Sequence, residues 1–386
     1  MPPPSLRIDP MSSNSNTTVI VGISGGVDSA VAALLLQQQG YHVQGLHMTN
    51  WDEDDDYCEA AKDFQDARKV CADLNIPLHH VNFAREYRDK VFADFLAEYR
   101  RGRTPNPDVA CNRQIKFGDC LEYAQRLGAD KIATGHYARV AHHGGQFDLL
   151  KGADPGKDQS YFLHGIRPEV LPQVMFPLGE LHKPDVRKLA NDFGLPNYAR
   201  RDSTGICFIG ERPFKEFLQG YIPAQPGNIE TPAGDVIGQH EGLMYHTLGQ
   251  RQGLAIGGLR DYTDEPWYVA GKDQERNVLV AVQGNTHPLL WSGTMQTEAV
   301  HWLSQPPGQR FNCTVKTRYR QDDVPCEVHL SAAGGARVVF GRPVWAVTPG
   351  QYAVFYSDDV CLGGSVIESA IGAEASPDFP AQAESA

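Results

Sequence analysis

Three groups of residues have the types and spacing to do chemistry. The run Ser24-Gly25-Gly26-Val27-Asp28-Ser29 follows a short apolar strand, residues 18–23, and precedes an amphipathic helix, residues 30–39. Glycines in a strand-to-helix turn let backbone N–H groups approach a ligand, and the helix N-terminus adds partial positive charge, so such a turn binds phosphate. Ser24 and Ser29 add hydroxyl donors, and Asp28 can reach a Mg²⁺ ion. The run lacks the lysine of a Walker loop, so it is better suited to holding a departing pyrophosphate than to activating a terminal phosphoryl group. The α-phosphate then faces an acceptor, and the chemistry is adenylation. An ordinary Gly-rich βα turn is the bland alternative, which the strand–helix context disfavours.

The other two groups each hold a cysteine. Cys111 lies in Thr104-Pro105-Asn106-Pro107-Asp108-Val109-Ala110-Cys111-Asn112-Arg113, with Lys116 close behind. Cationic neighbours raise the thiolate fraction of a thiol. Asp108, three residues earlier, can exchange protons with a thiol or a substrate. Cys207 lies in the Gly-flanked run Asp202-Ser203-Thr204-Gly205-Ile206-Cys207-Phe208-Ile209-Gly210. A mobile cysteine facing a fixed one suits thiol or persulfide transfer. Either cysteine can equally be a buried structural thiol.

Weaker signals follow. Gly135-His136-Tyr137 ends a strand and fits a nucleotide or base pocket, although His136 alone reads as a structural histidine. Lys157-Asp158-Gln159-Ser160-Tyr161 and Lys316-Thr317-Arg318-Tyr319-Arg320-Gln321 mix cations, amides and aromatics. RNA backbone contacts and base stacking use that mixture, as does a solvated strand edge. The acidic run at 52–56 repels a polyanion and reads as a solvated loop.

The elements that must position these groups fall into two textures. Up to about residue 211, short apolar strands (18–23, 42–47, 78–82, 131–134) alternate with helices (30–39, 59–74, 86–101, 118–127), and residues 102–111 form a loop. That alternation predicts a parallel sheet covered on both faces, with ligands at the carboxyl ends of its strands. Residues 212–277 are Gly- and Pro-rich and predict a small central α+β domain. Period-two segments over 278–368 predict a β-barrel. Residues 1–16 and 369–386 read as disordered extensions, and translation beginning at Met11 fits the first of them.

The chain has 386 residues and a net charge of −12, with 41% hydrophobic content, and no apolar stretch long enough to span a bilayer. Its acidity argues against a nucleic-acid partner unless a basic face is local. The 8 cysteines include no C-x-x-C pair, so no zinc ribbon and no metal site is expected. With no export signal, a cytoplasmic location and reduced thiols follow.

Together these segments resemble the bacterial tRNA-specific 2-thiouridylases over residues 17–368. The matching runs include 22–29, Met48 with Asn50-Trp51, Gly102–Asp108, Cys111-Asn112, Ala133–Arg139, Lys157–Phe162, Asp202–Glu211, Gly242–Arg251, Lys316–Gln321, Pro349-Gly350-Gln351 and Cys361–Gly364. Ala30 departs from the family, where Ser often follows the loop. The resemblance implies a Rossmann-like ATP-pyrophosphatase domain, a small central domain and a C-terminal barrel. It implies ATP held by Gly22, Ile23, Ser24, Gly25, Gly26, Val27, Asp28 and Ser29, with Met48 and Gly135. Asn106, Pro107 and Asp108 would meet the target base, Cys111 would be the nucleophile and Cys207 the persulfide carrier. His136, Lys157, Asp158, Gln159, Arg318, Tyr319 and Gln351 would touch tRNA.

The implied reaction adenylates the C2 oxygen of a wobble uridine with ATP and Mg²⁺ and replaces it with sulfur. A Cys111–Cys207 disulfide is the implied by-product. The implied partners are a tRNA with a wobble uridine and a persulfide-donating sulfur carrier or cysteine desulfurase. In a variant, an iron–sulfur cluster sits on Asp108, Cys111 and Cys207. Two other classes share part of the pattern: an ATP-pyrophosphatase ligase acting on a small substrate, and a non-catalytic tRNA-binding sulfur carrier.

Overall fold

The computed structural model describes residues 14–51, 60–200, 214–258 and 262–372. Cys207, Cys58 and the acidic run at 52–56 lie outside them. Strands β1 (Thr18–Gly22), β2 (His42–Thr49), β3 (Leu78–Asn82) and β4 (Lys131–Ala133) are joined through helices α1 (Val27–Gln38), α2 (Ala60–Asp73), α3 (Ala84–Tyr87), α4 (Ala93–Arg100), α5 (Pro107–Ala110) and α6 (Cys120–Arg126). The antiparallel hairpin β5 (Ala138–His143)–β6 (Gln146–Lys151), helix α7 (Ser160–Leu163), strand β7 (Val174–Met175) and helix α8 (Lys183–Asp192) follow. The first sheet is parallel throughout, in the order β3-β2-β1-β4-β7. After β3 the chain crosses back to the other side of β1, so a crevice opens between the carboxyl ends of β1 and β4. Ligands bind at such a switch point.

The helices depart from the sequence expectation in ways that bear on the site. Helix α1 begins at Val27, so Val27, Asp28 and Ser29 form its first turn. It is not amphipathic: Val27, Ser29 through Leu34 and Leu36 are all buried, because the helix packs between the sheet and α8. The stretch read as a loop before Cys111 is helical from Pro107. The Asn106 side-chain Oδ1 accepts from the Asp108 N–H at 3.2 Å and caps the helix, and Pro107 supplies a preset φ at the first helical position. Helix α5 then runs through a π-helical stretch, Cys111–Asp119, into α6. The helix expected over 86–101 likewise contains a π-helical stretch, Arg88–Phe92.

After helix α9 (Phe214–Gln219), strands β8 (Gly227–Glu230), β9 (Val236–His240), β10 (Trp267–Asp273) and β11 (Val278–Gln283) form a four-stranded sheet in the order β10-β11-β8-β9. A boundary at 277/278 would cut the β10–β11 hairpin, whose residues pair from Trp267↔Gln283 to Asp273↔Val278. Next come β12 (Trp291–Thr297), β13 (His301–Trp302), β14 (Arg310–Lys316), β15 (Val324–Leu330), β16 (Ala336–Trp345), β17 (Tyr352–Ser357) and β18 (Val360–Gly372). The path β12-β16-β15-β14-β17-β18 is closed by pairing of β18 with β12. Its interior holds Met295, Val315, Val328, Val338 and Phe355, all buried. The β5–β6 hairpin of the first domain adds to this sheet through Val360↔Leu150, so sheet pairing itself joins the first and third domains.

Candidate active site

The Ser24–Ser29 turn sits at the carboxyl end of β1 with its hydroxyls gathered inward. Ser29 Oγ donates to the Gly26 carbonyl at 3.1 Å and accepts from the Ser24 N–H at 3.2 Å. The Gly26 position that opens α1 makes no side-chain cap bond, and the N–H groups of a helix's first turn have no acceptor within the helix. Asn197 Nδ2 donates to the Gly25 carbonyl at 2.8 Å and pins the turn from outside. Beside it lies a cavity of about 220 Å³ lined by Lys62, Asp66, Lys69, Asn197 and Arg200.

One residue of this site, Lys183, carries no signal in the local sequence pattern. Lys183, at the first turn of α8, donates to both oxygens of the Asp28 carboxylate at 2.8 Å. Tyr137 donates its hydroxyl to Asp28 Oδ1 at 2.8 Å, and the Lys183 ammonium lies 5.9 Å from the Tyr137 ring centroid. Thus a lysine does face the phosphate turn, delivered from 155 residues away. Asp28 holds this pair, and a Mg²⁺ ion approaching it must share the carboxylate with Lys183.

The carboxyl end of β4 supplies Thr134-Gly135-His136. A Cβ on Gly135 would lie 2.8 Å from both the Asp28 carbonyl carbon and the Ser29 nitrogen, so a bare glycine is needed to seat this strand end on α1. His136 accepts at Nε2 from the Lys116 ammonium at 3.5 Å, which leaves the proton on Nδ1 to be donated to Thr134 Oγ1 at 2.7 Å. Burial first, and the Lys116 charge second, hold this imidazole neutral. Its ring packs against Phe117 and Phe176 at 6.1 and 6.0 Å.

Lys116 and Phe117 belong to the π-helical stretch that begins at Cys111. The phosphate turn, Gly135-His136 and the Cys111 helix are therefore one contiguous chain of contacts. Cys111 is buried, with 1% of its surface exposed. Burial pushes the Asp108 carboxyl up, opposed by Lys116. One turn apart on the same helical face, Asp108 and Cys111 can act on one substrate atom. Asn112 donates to the Phe162 carbonyl at 3.1 Å and so ties this helix to the Lys157–Phe162 segment.

The expected RNA contacts are divided by the fold. Asp158 is buried and accepts from the N–H groups of Gly152 and Ser160, each at 3.0 Å, and from the Ser160 hydroxyl. Gln159 Oε1 accepts from the Tyr137 N–H at 3.0 Å. Arg318 Nη2 donates to the carbonyls of Leu248 and Ala346 and to Thr348 Oγ1 at 2.8–3.0 Å, bridging the central domain and the barrel. Gln351 Nε2 donates to the Thr104 carbonyl at 2.7 Å. Tyr319 packs on Phe162 with centroids 4.4 Å apart, and its hydroxyl reaches the Lys157 carbonyl at 3.5 Å. Met48, near the carboxyl end of β2, is half-buried at the same end of the sheet as the turn. Cys207 lies outside the described residues. Among those described, no three His, Cys, Asp or Glu side chains gather to hold a metal.

A switch-point crevice lined by a glycine turn, with a buried carboxylic acid and thiol on an adjoining helix, defines a nucleotide-binding α/β enzyme with two appended β-domains. Family matches divide the chain in the same way: residues 17–211 match the tRNA methyl transferase HUP domain, 215–283 the tRNA methyl transferase PRC-barrel domain and 292–367 the aminomethyltransferase beta-barrel domain. The tRNA-specific 2-thiouridylase MnmA of Idiomarina loihiensis is 58% identical over 363 residues, spanning 93% of this chain and 98% of that one. That of Escherichia coli (strain UTI89 / UPEC) is 59% identical over 354 residues, spanning 91% and 96%. The chain belongs to the tRNA-specific 2-thiouridylase family, a family of tRNA sulfurtransferases. Among solved structures, a 4-thiouridine synthetase–RNA complex with bound ATP overlaps 53% of this chain and 49% of its own at 16% identity, with a TM-score of 0.34.

Proposed function

We propose that this chain adenylates the C2 oxygen of the wobble uridine of tRNA and replaces it with sulfur carried as a cysteine persulfide. The observation that carries the reading is the contact chain from the Ser24–Ser29 turn through Gly135-His136 and Lys116 to Asp108 and Cys111. It brings a phosphate site and a thiol together at one switch point.

The N–H groups and hydroxyls of the turn take the β- and γ-phosphates of ATP, with Mg²⁺ screening their charge. Asp28 would hold the Mg²⁺, which would screen the phosphate charge, and Lys183, which donates to that carboxylate, stands in for the absent Walker lysine as a cation beside the phosphates. The α-phosphate then faces the uridine O2, held by Asn106, Pro107 and Asp108. Reaching a wobble base means flipping it out of the anticodon stack. Attack by O2 on the α-phosphate releases pyrophosphate and leaves the adenylyl group on O2, which turns that oxygen into a leaving group and makes C2 electrophilic.

The terminal sulfur of a Cys207 persulfide adds at C2 and AMP departs, leaving a C2–S–S–Cys207 link. The raised Asp108 carboxyl supplies a proton to the departing group. The Cys111 thiolate attacks the Cys207 sulfur, 2-thiouridine is released, and a Cys111–Cys207 disulfide remains for a reductant to open. A persulfide-bearing sulfur carrier or cysteine desulfurase recharges Cys207. Lys157, Tyr319 and His136 face RNA in this reading, while Asp158, Gln159, Arg318 and Gln351 support that face from behind. Among the described residues no helix is long and apolar enough to cross a membrane.

The test is the 2-thiouridine content, by mass spectrometry, of unmodified tRNA incubated with the protein, ATP–Mg²⁺ and a persulfide donor. It is run with and without oxygen beside Cys111→Ser and Cys207→Ser. Product that needs ATP and both cysteines in either atmosphere is the expected result. Product confined to the anaerobic reaction would replace the persulfide route with a cluster. Product unaffected by Cys207→Ser would remove the carrier role.

A further inference from the structure

Outside the active site, the barrel brings two more cysteines into contact. Cys313 on β14 and Cys326 on β15 are direct partners in the antiparallel register, and their sulfurs are 3.6 Å apart. Directly opposed residues of antiparallel strands have Cα atoms about 4.5–5.5 Å apart, within the span a disulfide bridges. The two sulfurs need only small χ1 adjustments to bond. Cys313 is half-buried, whereas Cys71, Cys111, Cys120, Cys326 and Cys361 are buried, so among the described cysteines it is the one an external oxidant meets first. The contact with Cys313 and burial push the Cys326 thiol up, which keeps it protonated.

The pair lies midway along a hairpin, two register positions before the last pair below its tip, and that tip, residues 317–323, carries Arg318 and Tyr319. Arg318 holds the central domain and the barrel together, and Tyr319 rests on Phe162 of the first domain. A bond between them therefore fixes a hairpin that belongs to the barrel and touches both other domains.

We propose that Cys313 and Cys326 form a second dithiol, separate from the catalytic cysteines, which a hydroperoxide oxidises to a cross-strand disulfide that locks this hairpin. The Cys313 thiolate attacks a peroxide oxygen, giving a sulfenic acid and releasing water once the leaving oxygen is protonated. The Cys326 thiol then attacks the sulfenic sulfur, and a second water leaves. Two thiols lose two electrons, the peroxide gains them, and an external thiol reverses the bond by exchange.

The test treats the full-length Cys111→Ser/Cys207→Ser protein with hydrogen peroxide, alkylates the remaining thiols and digests with trypsin. Cleavage after Arg310, Lys316, Arg320 and Arg337 places the two cysteines on separate peptides, 311–316 and 321–337, which only a disulfide holds together. The expected result is that joined pair, lost on dithiothreitol treatment, with two fewer alkylated thiols per chain. The oxidised protein should also melt at a higher temperature than the reduced one, and Cys313→Ser in the same background should abolish that shift. Alkylation of both residues at the untreated level would overturn the proposal. So would sulfinic acid at Cys313 with Cys326 still alkylated, joining of either residue to a different cysteine, or an oxidative rise in melting temperature that survives Cys313→Ser.

Discussion

Lys183 concentrates the residue-scale argument. It is buried against Asp28 and Tyr137 at the phosphate turn, where a lost ammonium cannot be replaced by solvent. Lys183→Met should lower ATP–pyrophosphate exchange at least tenfold while the far-ultraviolet circular dichroism stays unchanged, and Lys183→Arg should recover part of it. Equal exchange in Lys183→Met would remove the lysine from the mechanism. Buried histidines set the acid limit of the fold. Burial lowers His164 and His246 to about 4, below the ordinary 6.5, and the unfolded chain protonates them first. Their contribution is complete above pH 6.5 and is lost as the pH falls toward 4. The melting temperature should therefore drop across that window, and His164→Gln should flatten the drop. A profile level from 6.5 to 4 would refute this.

Elements decide how the catalytic parts meet. The π-helical stretch from Cys111 to Asp119 widens the turn, a feature common at functional sites. Lys116 and Phe117 of this stretch face His136, which ties the helix that carries Asp108 and Cys111 to the end of β4. The end of β4 is seated on the start of α1 by Gly135, with backbone atoms on the far side that cannot yield. Gly135→Ala should push the two apart and weaken ATP binding by more than tenfold in titration calorimetry. The barrel would be unaffected, so the far-ultraviolet spectrum serves as the control. Wild-type affinity in that variant would mean that the strand end moves freely.

On the scale of the whole molecule, the loop leading to Asn106 and Cys111 is held by both appended domains. Lys272 of the central sheet donates to the Gly102 carbonyl at 3.2 Å. Arg103 pairs with Glu298 of the barrel at 2.6 Å, the Thr104 N–H donates to the Pro349 carbonyl, and Gln351 donates to the Thr104 carbonyl. The Gly350 backbone approaches so closely that a Cβ there would sit 2.8 Å from the Arg103 Cβ. The barrel and central domain thus act as a clamp on residues 102–104, just ahead of Asn106 and Cys111. Gln351→Ala removes one clamp bond, worth about 1 kcal/mol. It should lower the single-turnover thiolation rate several-fold and leave the KM for ATP unchanged. An unchanged rate with weakened tRNA binding would instead assign Gln351 to direct RNA contact.

How far the sequence reached follows from the range of each interaction. The phosphate turn and the alternation of strands with helices are set by neighbours close in sequence, where glycine chemistry and local periodicity act. They were legible, together with the parallel sheet and the barrel, whereas the helix start at Asn106-Pro107 was not, because Pro105 and Pro107 together read as a stiff loop. Periodicity misread α1 as amphipathic, because its second covering face comes from α8, more than 140 residues away in the chain. The Lys183–Asp28 pair, the tie from Gly135 to α1 and the three-domain hold on residues 102–104 likewise join segments far apart in sequence. Asp158 and Arg318 read as surface residues from composition, yet packing turned their charges inward. The sequence by itself determined which groups could do chemistry. The tertiary structure decided which of them meet, because a buried ion pair or a close backbone approach exists only once distant segments have been brought together.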